Sequence, residues 1–245
     1  TQVPEEESNL PRFASTVSEE LLLGVGVDVP LSSKEDPERI AGITAEFEMG
    51  FEALAGVQRG ISIFGSARTP ETDPDYIRAR AIAAELGRHG YSIITGGGPG
   101  MMEAANRGAQ DVGAQSIGCN IKLPHEQQPN PYQDICLTFE HFYVRKVMFV
   151  RYAQAFVIMP GGFGTMDELF EALTLAQTGT IRHYPVALVG REFWGGLIDW
   201  LRQRMLAGGN IGEEDLSLIN ICETPEDVLE LVRAEGQMLR SLTAW

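Results

Sequence analysis

The chain has 245 residues, 44% of them hydrophobic, so it can bury a sizeable core within one domain. Its formal net charge of −15 argues against nucleic acid or an anionic membrane as partners, because non-specific contact with a polyanion needs a basic surface. The three cysteines form no CxxC pair and no apolar run approaches the roughly 20 residues that span a bilayer, so we expect a cytoplasmic protein without disulfides.

The N-terminal segment differs from the rest of the chain. Residues 1–60 carry 12 acidic and 4 basic side chains, and residues 1–40 mix Pro, Ser and acidic residues as a partly disordered extension does. Apolar side chains then recur every three or four positions over 38–55, which predicts one helix. We therefore divide the chain into an acidic extension with one helix over 1–57 and an α/β domain over 58–245.

From residue 58 onward, short apolar runs alternate with stretches of helical spacing. The runs predict strands over 61–64, 91–95, 115–121, 135–139, 155–159 and 185–189. The stretches between and after them predict helices over 74–89, 101–112, 141–153, 165–177 and 194–206, and Thr224-Pro225 opens a last helix. This alternation indicates a Rossmann-like, doubly wound parallel sheet with helices on both faces, which binds ligands at the carboxyl ends of its strands.

Two of the predicted strands run into glycine-rich turns that precede helices. The turns are GGGPG at 96–100 and PGGFG at 160–164. Glycines let the backbone approach a ligand closely, and the free amides of a helix N-terminus attract an anion. One such turn alone would more often be only a tight turn, but two on one sheet predict a site for the phosphate of a nucleotide.

The common nucleotide and metal motifs are absent from the sequence. A dinucleotide fingerprint would need Gly or Ala in place of Glu103 or Asp167, and a P-loop would need a lysine after a glycine. The four histidines lack metal-ligand spacing. We therefore expect neither NAD, nor P-loop chemistry, nor a metal.

Glu168 and Arg145 are the charged side chains that could carry chemistry beside these turns. Thr165 and Glu168 have the spacing of a capping box, so both could serve only the start of a helix. A carboxylate in a first helical turn tends to stay ionised, which suits the oxocarbenium-like transition state of glycoside cleavage. Arg145 and Lys146 could bring positive charge to the same anion, although such a pair is more often a solvated face.

Residues 96–102, 145–148 and 160–168, in this order and after the Gly65-Ser66 turn, resemble the motifs of the Lonely Guy (LOG) family. These are cytokinin riboside 5′-monophosphate phosphoribohydrolases, long mislabelled as lysine decarboxylases. The resemblance covers about residues 58–235, and the extension resembles that of the longer branch. It implies hydrolysis of the N-glycosidic bond of a nucleoside 5′-monophosphate, a cytokinin nucleotide or AMP, without metal or organic cofactor.

The same resemblance assigns residues to roles. It makes Arg145 and Glu168 the catalytic pair, and it implies a homo-oligomer with a dimer as its unit, the longer branch being hexameric. It places the 5′-phosphate and the nucleotide against Ser66, Gly98, Met102, Gly161, Gly162, Gly164 and Thr165, and Lys146 joins this binding set because of its positive charge beside Arg145.

Two other interpretations fit parts of the pattern. Relatives of this fold resemble molybdenum-cofactor carriers, which bind without catalysis, but Arg145 and Glu168 in their full motifs favour an enzyme. A pyridoxal-phosphate decarboxylase would need a Schiff-base lysine, for which Lys146 is the one suitably placed residue. The sequence leaves open whether AMP or a cytokinin nucleotide is preferred.

Overall fold

A computed structural model of the chain describes residues 36–123, 128–181 and 184–242. The disorder predicted for the N-terminal extension falls, up to residue 35, outside the described residues. No helix in the described part of the chain is long and apolar enough to cross a membrane.

The strands of the described residues form one parallel sheet of seven. In chain order they are β1 (Gly60–Phe64), β2 (Ser92–Thr95), β3 (Ser116–Ile121), β4 (Ile135–Phe139), β5 (Ala153–Ile158), β6 (Val186–Val189) and β7 (Ile219–Cys222). Their order across the sheet is β4-β3-β2-β1-β5-β6-β7, and every neighbouring pair is parallel. The winding direction reverses between β1 and β5, which confirms the doubly wound sheet.

Helices cover both faces of the sheet. They are α1 (Asp36–Leu54), α2 (Pro74–Arg88), α3 (Met101–Gln110), α4 (Phe142–Tyr152), α5 (Phe163–Gln177), α6 (Arg191–Trp200), α7 (Glu213–Leu216) and α8 (Pro225–Leu242). Helices α2, α3 and α8 pack against one face, and α1, α4, α5 and α6 pack against the other. Successive strand residues such as Ile93 and Ile94 enter opposite layers, which is why the strands are almost continuously apolar.

Four elements differ from the sequence prediction, the first being the one-turn helix α7, which was not predicted. Strand β7 was not predicted, because it is short and Asn220 interrupts its apolar run. The helix predicted over 194–206 begins earlier as α6 and continues as a π-helical segment, Leu201–Leu206. Helix α5 begins at Phe163 rather than at Thr165, and this difference changes how the residues of its first two turns are interpreted.

Candidate active site

The carboxyl ends of β1, β2 and β5 open into one cleft of about 1060 Å³. The loop after β1 lies between the two glycine-rich turns and is bonded to both. The amide of Ser66 donates to the Pro160 carbonyl at 3.0 Å, and the amide of Met101 donates to the Ser66 carbonyl at 2.9 Å. The cleft therefore lies at the reversal point of the sheet, where doubly wound folds bind ligands.

The first turn, residues 96–100, is held by the side chain of a buried asparagine. Asn130 Nδ2 donates to the carbonyls of Gly97 and Gly98 at 3.0 and 2.9 Å, and the Asn130 amide donates to Gly97 at 2.8 Å. Gln133 Nε2 adds another bond to the Gly97 carbonyl at 2.8 Å. The turn therefore has a fixed backbone before any ligand arrives.

A second layer of buried polar groups supports Asn130. Asn106 Oδ1 accepts from Thr95 Oγ1 at 2.6 Å and from Asn130 Nδ2 at 3.0 Å, while Asn106 Nδ2 donates to Ser116 Oγ at 2.9 Å. Thr95, Asn106 and Ser116 are fully buried. Sequence reasoning missed this network because its partners lie on different elements and have no local spacing in common.

The second turn, residues 160–164, leads directly into α5. The N-cap of α5 is Gly162, which offers no side-chain cap, and the helix starts with a bond from the Met166 amide to the Gly162 carbonyl at 3.0 Å. The amides of the first turn consequently lack intrahelical acceptors and can bind an anion. A Cβ added at Gly162 or Gly164 would meet nothing within 4 Å, so open space lies beside these amides.

The position of Gly162 overturns the capping-box interpretation. Thr165 is the third residue of α5 and Glu168 the sixth, so Glu168 lies in the second helical turn and Thr165 is not the N-cap. The Thr165 side chain instead packs against Gly161, where a Cβ would collide with it. Glu168 is therefore not required to begin the helix.

Glu168 lines the cleft and is only 4% exposed. Burial raises its pKa from 4.5 to about 7, although the positive charges of Lys146 and Arg145 oppose the rise. Its Oε2 is buried and has no hydrogen-bond partner among the described residues. The argument that a first-turn position keeps this carboxylate ionised does not apply to Glu168, which lies in the second turn and whose desolvation outweighs the charges around it.

Arg145 enters the same cleft from α4. Its guanidinium carbon lies 5.1 Å from the ring centroid of Phe142 and 5.3 Å from that of Phe149. Its Nη1 lies 3.8 Å from the place that a Cβ of Gly96 would occupy, so it reaches the first glycine-rich turn. The structure thus brings Arg145 and Glu168 to one cleft.

Lys146 is directed elsewhere. Its Nζ lies 2.9 Å from Asp167 Oδ2 and 3.1 Å from Glu171 Oε2, both on α5, and it is not among the residues that line the cleft. Burial works against its charge, but the hydrogen bonds to these carboxylates hold the pKa of Lys146 above its usual value. A charged lysine outside the cleft does not suit a Schiff base, so the structure gives the decarboxylase interpretation no support.

The cleft contains the remaining residues that the sequence analysis selected. They are Ser66, Gly98, Met102, Gly161, Gly162, Gly164 and Thr165. It also contains residues that the analysis did not select, including Asn120, Leu123, Phe142 and Phe193. In the described part of the chain, no group of three or more His, Cys, Asp or Glu side chains could hold a metal ion.

Fold and cleft together define a doubly wound α/β protein with a ligand cleft at its topological switch point. Comparison with solved structures agrees with this class. The molybdenum cofactor binding protein from Rippkaea orientalis has a TM-score of 0.53 at 23% identity, over 73% of this chain and 98% of that chain. A Moco carrier protein from Chlamydomonas reinhardtii has a TM-score of 0.53 at 21% identity, over 74% of this chain and 99% of that chain. At these identities the likeness shows the fold alone.

Comparison with protein families and curated proteins is more specific. The family model described as possible lysine decarboxylase matches residues 102–232, more than half of the chain. The cytokinin riboside 5′-monophosphate phosphoribohydrolase LOG of Oryza sativa subsp. japonica is 34% identical over 152 residues, which are 60% of this chain and 62%, less than two thirds, of the rice protein. The protein of the same description from Mycobacterium tuberculosis is 28% identical over 165 residues, covering 64% of this chain and 86% of that protein. The chain belongs to the possible lysine decarboxylase family, which is the LOG family.

Proposed function

We propose that this protein hydrolyses the N-glycosidic bond of a nucleoside 5′-monophosphate, AMP or a cytokinin riboside 5′-monophosphate, to the free base and ribose 5-phosphate. The observation that carries the proposal is the meeting of three features in one cleft. These are the open N-terminus of α5, the buried carboxyl of Glu168 and the guanidinium of Arg145. The names of the rice and mycobacterial relatives support the same reaction.

The N-terminus of α5 binds the 5′-phosphate. Its first-turn amides, the space beside Gly162 and Gly164, and the Thr165 hydroxyl suit a phosphate dianion. With the phosphate there, the ribose and base extend toward the first turn, where Gly98 and Met102 line the cleft.

Glu168 acts on the sugar as a carboxylate. Bond cleavage leaves positive charge on the ribose, which the carboxylate stabilises, and the same group accepts a proton from the water that attacks C1′. The departing base takes up the proton that Glu168 accepted, so the carboxylate is regenerated and one water is consumed in each turnover. A pKa near 7 makes Glu168 a stronger base than an exposed carboxylate and leaves it ionised in much of the protein at neutral pH. Arg145 supplies positive charge to the phosphate or to the leaving base.

The protein also forms a homo-oligomer with a dimer as its unit. Exposed apolar side chains on α5 support this assembly. Phe163 is 96% exposed and Phe170 is 37% exposed, and with Met166 and Leu175 they line a groove of about 530 Å³ that Asp167, Glu171 and Thr174 also line. Large exposed apolar side chains rimmed by polar residues are typical of protein contacts. Sedimentation velocity measures the assembly, and a monomer at micromolar concentration would contradict it.

The test of the reaction is to incubate the protein, without added metal, with AMP and with isopentenyladenosine 5′-monophosphate, and to follow free base by chromatography. We expect release from at least one nucleotide, and a loss of at least about 100-fold in Glu168→Gln, which cannot accept the proton. Glu230→Gln, an exposed glutamate on α8 outside the cleft, serves as control and should keep full activity.

The pH profile tests the role of Glu168. Because the carboxylate is the active form, kcat/KM should rise as pH rises through about 7. Full turnover in Glu168→Gln would refute this mechanism. Nucleotide binding without base release would instead identify a binding protein without this activity.

A further inference from the structure

Helix α4, which carries Arg145, has no N-terminal cap of its own. Its N-cap residue is His141, whose side chain makes no capping hydrogen bond, and its first turn contains no acidic residue. A helix N-terminus is usually stabilised by residues close to it in sequence. A side-chain oxygen accepts hydrogen bonds from the first amides, and an acidic side chain places negative charge near the positive end of the helix dipole. The N-terminus of α4 therefore depends on another part of the chain.

Glu46, on α1, supplies the missing negative charge and binds the backbone just before α4 and at its N-cap. Its Oε1 accepts from the Glu140 amide at 2.8 Å, and its Oε2 accepts from the His141 amide at 3.3 Å. The same Oε1 lies 3.2 Å from His141 Nδ1, and the two side chains are only 14% and 6% exposed. A largely buried carboxylate 95 positions earlier in the chain thus holds the backbone at the start of α4.

The backbone that Glu46 holds is directly bonded to Arg145. The carbonyl of His141 accepts the Arg145 amide at 3.3 Å, which makes Arg145 the residue that completes the first turn of α4. Further along the two helices, Tyr152 Oη donates to the Phe51 carbonyl at 3.3 Å. Helix α1 therefore binds α4 at its N-cap and again at its last residue.

We propose that Glu46 is a positioning residue for Arg145. By fixing Glu140 and His141, it sets the rotation and height of the first turn of α4 and hence the place of the guanidinium in the cleft. Helix α1, which the sequence analysis placed in an N-terminal extension, then helps to position a residue of the active site. The inference rests on the proposed function of that cleft for its catalytic consequence, while the capping itself can be measured separately.

The experiment compares Glu46→Ala with Glu48→Ala, an exposed glutamate on the same helix. Hydrogen exchange, followed by mass spectrometry, should become about tenfold faster at residues 142–146 in Glu46→Ala only, because the start of α4 frays. With the nucleotide that the wild type hydrolyses, kcat should fall about tenfold in Glu46→Ala, since small misplacements of a catalytic group are costly. Glu46→Gln, which keeps an acceptor oxygen, should recover part of both losses.

A double-mutant cycle separates positioning from general stability. In the Arg145→Ala background, Glu46→Ala should cause no further loss of residual turnover or of AMP affinity, because the group that it positions is gone. A full additional loss would overturn the proposal, as would equal exchange and equal kcat in Glu46→Ala and Glu48→Ala. If Glu46→Ala does not fold, Glu46→Gln is carried through the same comparison.

The proposed reaction and the positioning role fail in distinguishable ways. Absence of base release by the wild type would refute the reaction, and hydrogen exchange at 142–146 together with AMP affinity would still decide the role of Glu46. Normal base release with unchanged exchange in Glu46→Ala would refute the positioning role alone.

Discussion

The two glycine-rich turns look alike in the sequence, but their glycines meet different physical requirements. In the first turn, Gly97 and Gly100 have φ values of +72° and +68°, and a Cβ on either would collide with its surroundings. In the second turn, the glycines all have ordinary φ values, and a Cβ at Gly162 or Gly164 would meet nothing within 4 Å. The first turn needs glycine to fold. In the second turn only Gly161 is sterically required, because a Cβ there would meet Thr165, whereas Gly162 and Gly164 keep space open beside a helix N-terminus.

The buried polar side chains beside the two turns also differ, in whether their hydrogen-bonding groups have partners. Asn130 and Asn106, behind the first turn, are buried and fully engaged in hydrogen bonds with their neighbours. Glu168, beside the second turn, is buried with a raised pKa and an Oε2 that no described residue bonds. A satisfied network stabilises a fold, while a buried acid costs stability and is typical of functional sites. The comparison therefore predicts a structural first turn and a second turn whose features cost stability but serve a ligand.

The largest expected effect concerns the stability cost of Glu168. Its native pKa of about 7 lies above the unfolded value of 4.5, so the native state holds a proton that the unfolded state has lost between these pH values. The free energy of unfolding should therefore fall as pH rises from about 4.5 to about 7, by about 3 kcal/mol from this group. Glu168→Gln cannot ionise, so at pH 8 it should be more stable than the wild type by about that amount.

Urea unfolding at pH 5 and pH 8 measures this effect. Other groups also titrate in this range, so the quantity to compare is the difference between wild type and variant at each pH. Glu230→Gln, with an exposed carboxyl, should show no such difference. Parallel pH dependence of wild type and Glu168→Gln would mean that the buried carboxyl does not destabilise the fold.

The fold was largely predictable because its signals are local. Strands buried on both faces are continuous apolar runs, and each helix between them has its own spacing and stop signals. Strand β7 lacks such a run and was missed. The start of α5 was misplaced because Thr165 and Glu168 imitate a capping box, and only the three-dimensional path of Gly162 shows otherwise.

The candidate site was predictable only in part, because its decisive properties arise between distant residues. Asn130 holds a carbonyl 33 positions away, and Glu46 holds an amide 95 positions away. Arg145 and Lys146 are adjacent in sequence, yet one enters the cleft and the other pairs with α5, since neighbours on a helix point in different directions. The raised pKa of Glu168 likewise depends on burial that no local pattern contains.

A smaller effect is expected when alanine replaces a glycine of the first turn. Gly97→Ala should lower the free energy of unfolding by about 2 kcal/mol, because a left-handed backbone disfavours a Cβ and the new methyl group would press on Asn120. Urea unfolding at pH 7 gives the value. Gly162→Ala is the matched control and should stay within about 0.5 kcal/mol of the wild type. Equal losses of unfolding free energy in Gly97→Ala and Gly162→Ala would show that both turns require glycine for folding to the same extent.

The smallest expected effect is a loss of ligand affinity in Gly162→Ala, a variant of the second turn. In Gly162→Ala the backbone, at φ −95°, accepts a Cβ and the fold stays intact, but the methyl group fills space that the phosphate needs. The Kd for AMP, measured by calorimetry, should rise about tenfold, which corresponds to about 1.4 kcal/mol of binding free energy.

Gly56→Ala supplies the control for that measurement. A Cβ at Gly56 also meets nothing within 4 Å, and Gly56 lies outside the cleft. The Kd of this variant for AMP should therefore equal that of the wild type. An unchanged Kd in Gly162→Ala would place the phosphate away from α5. Ribose 5-phosphate, which keeps the phosphate and lacks the base, should lose affinity in Gly162→Ala by the same factor as AMP. A loss confined to AMP would mean that the second turn senses the base, and the open space beside Gly162 would then need a different occupant.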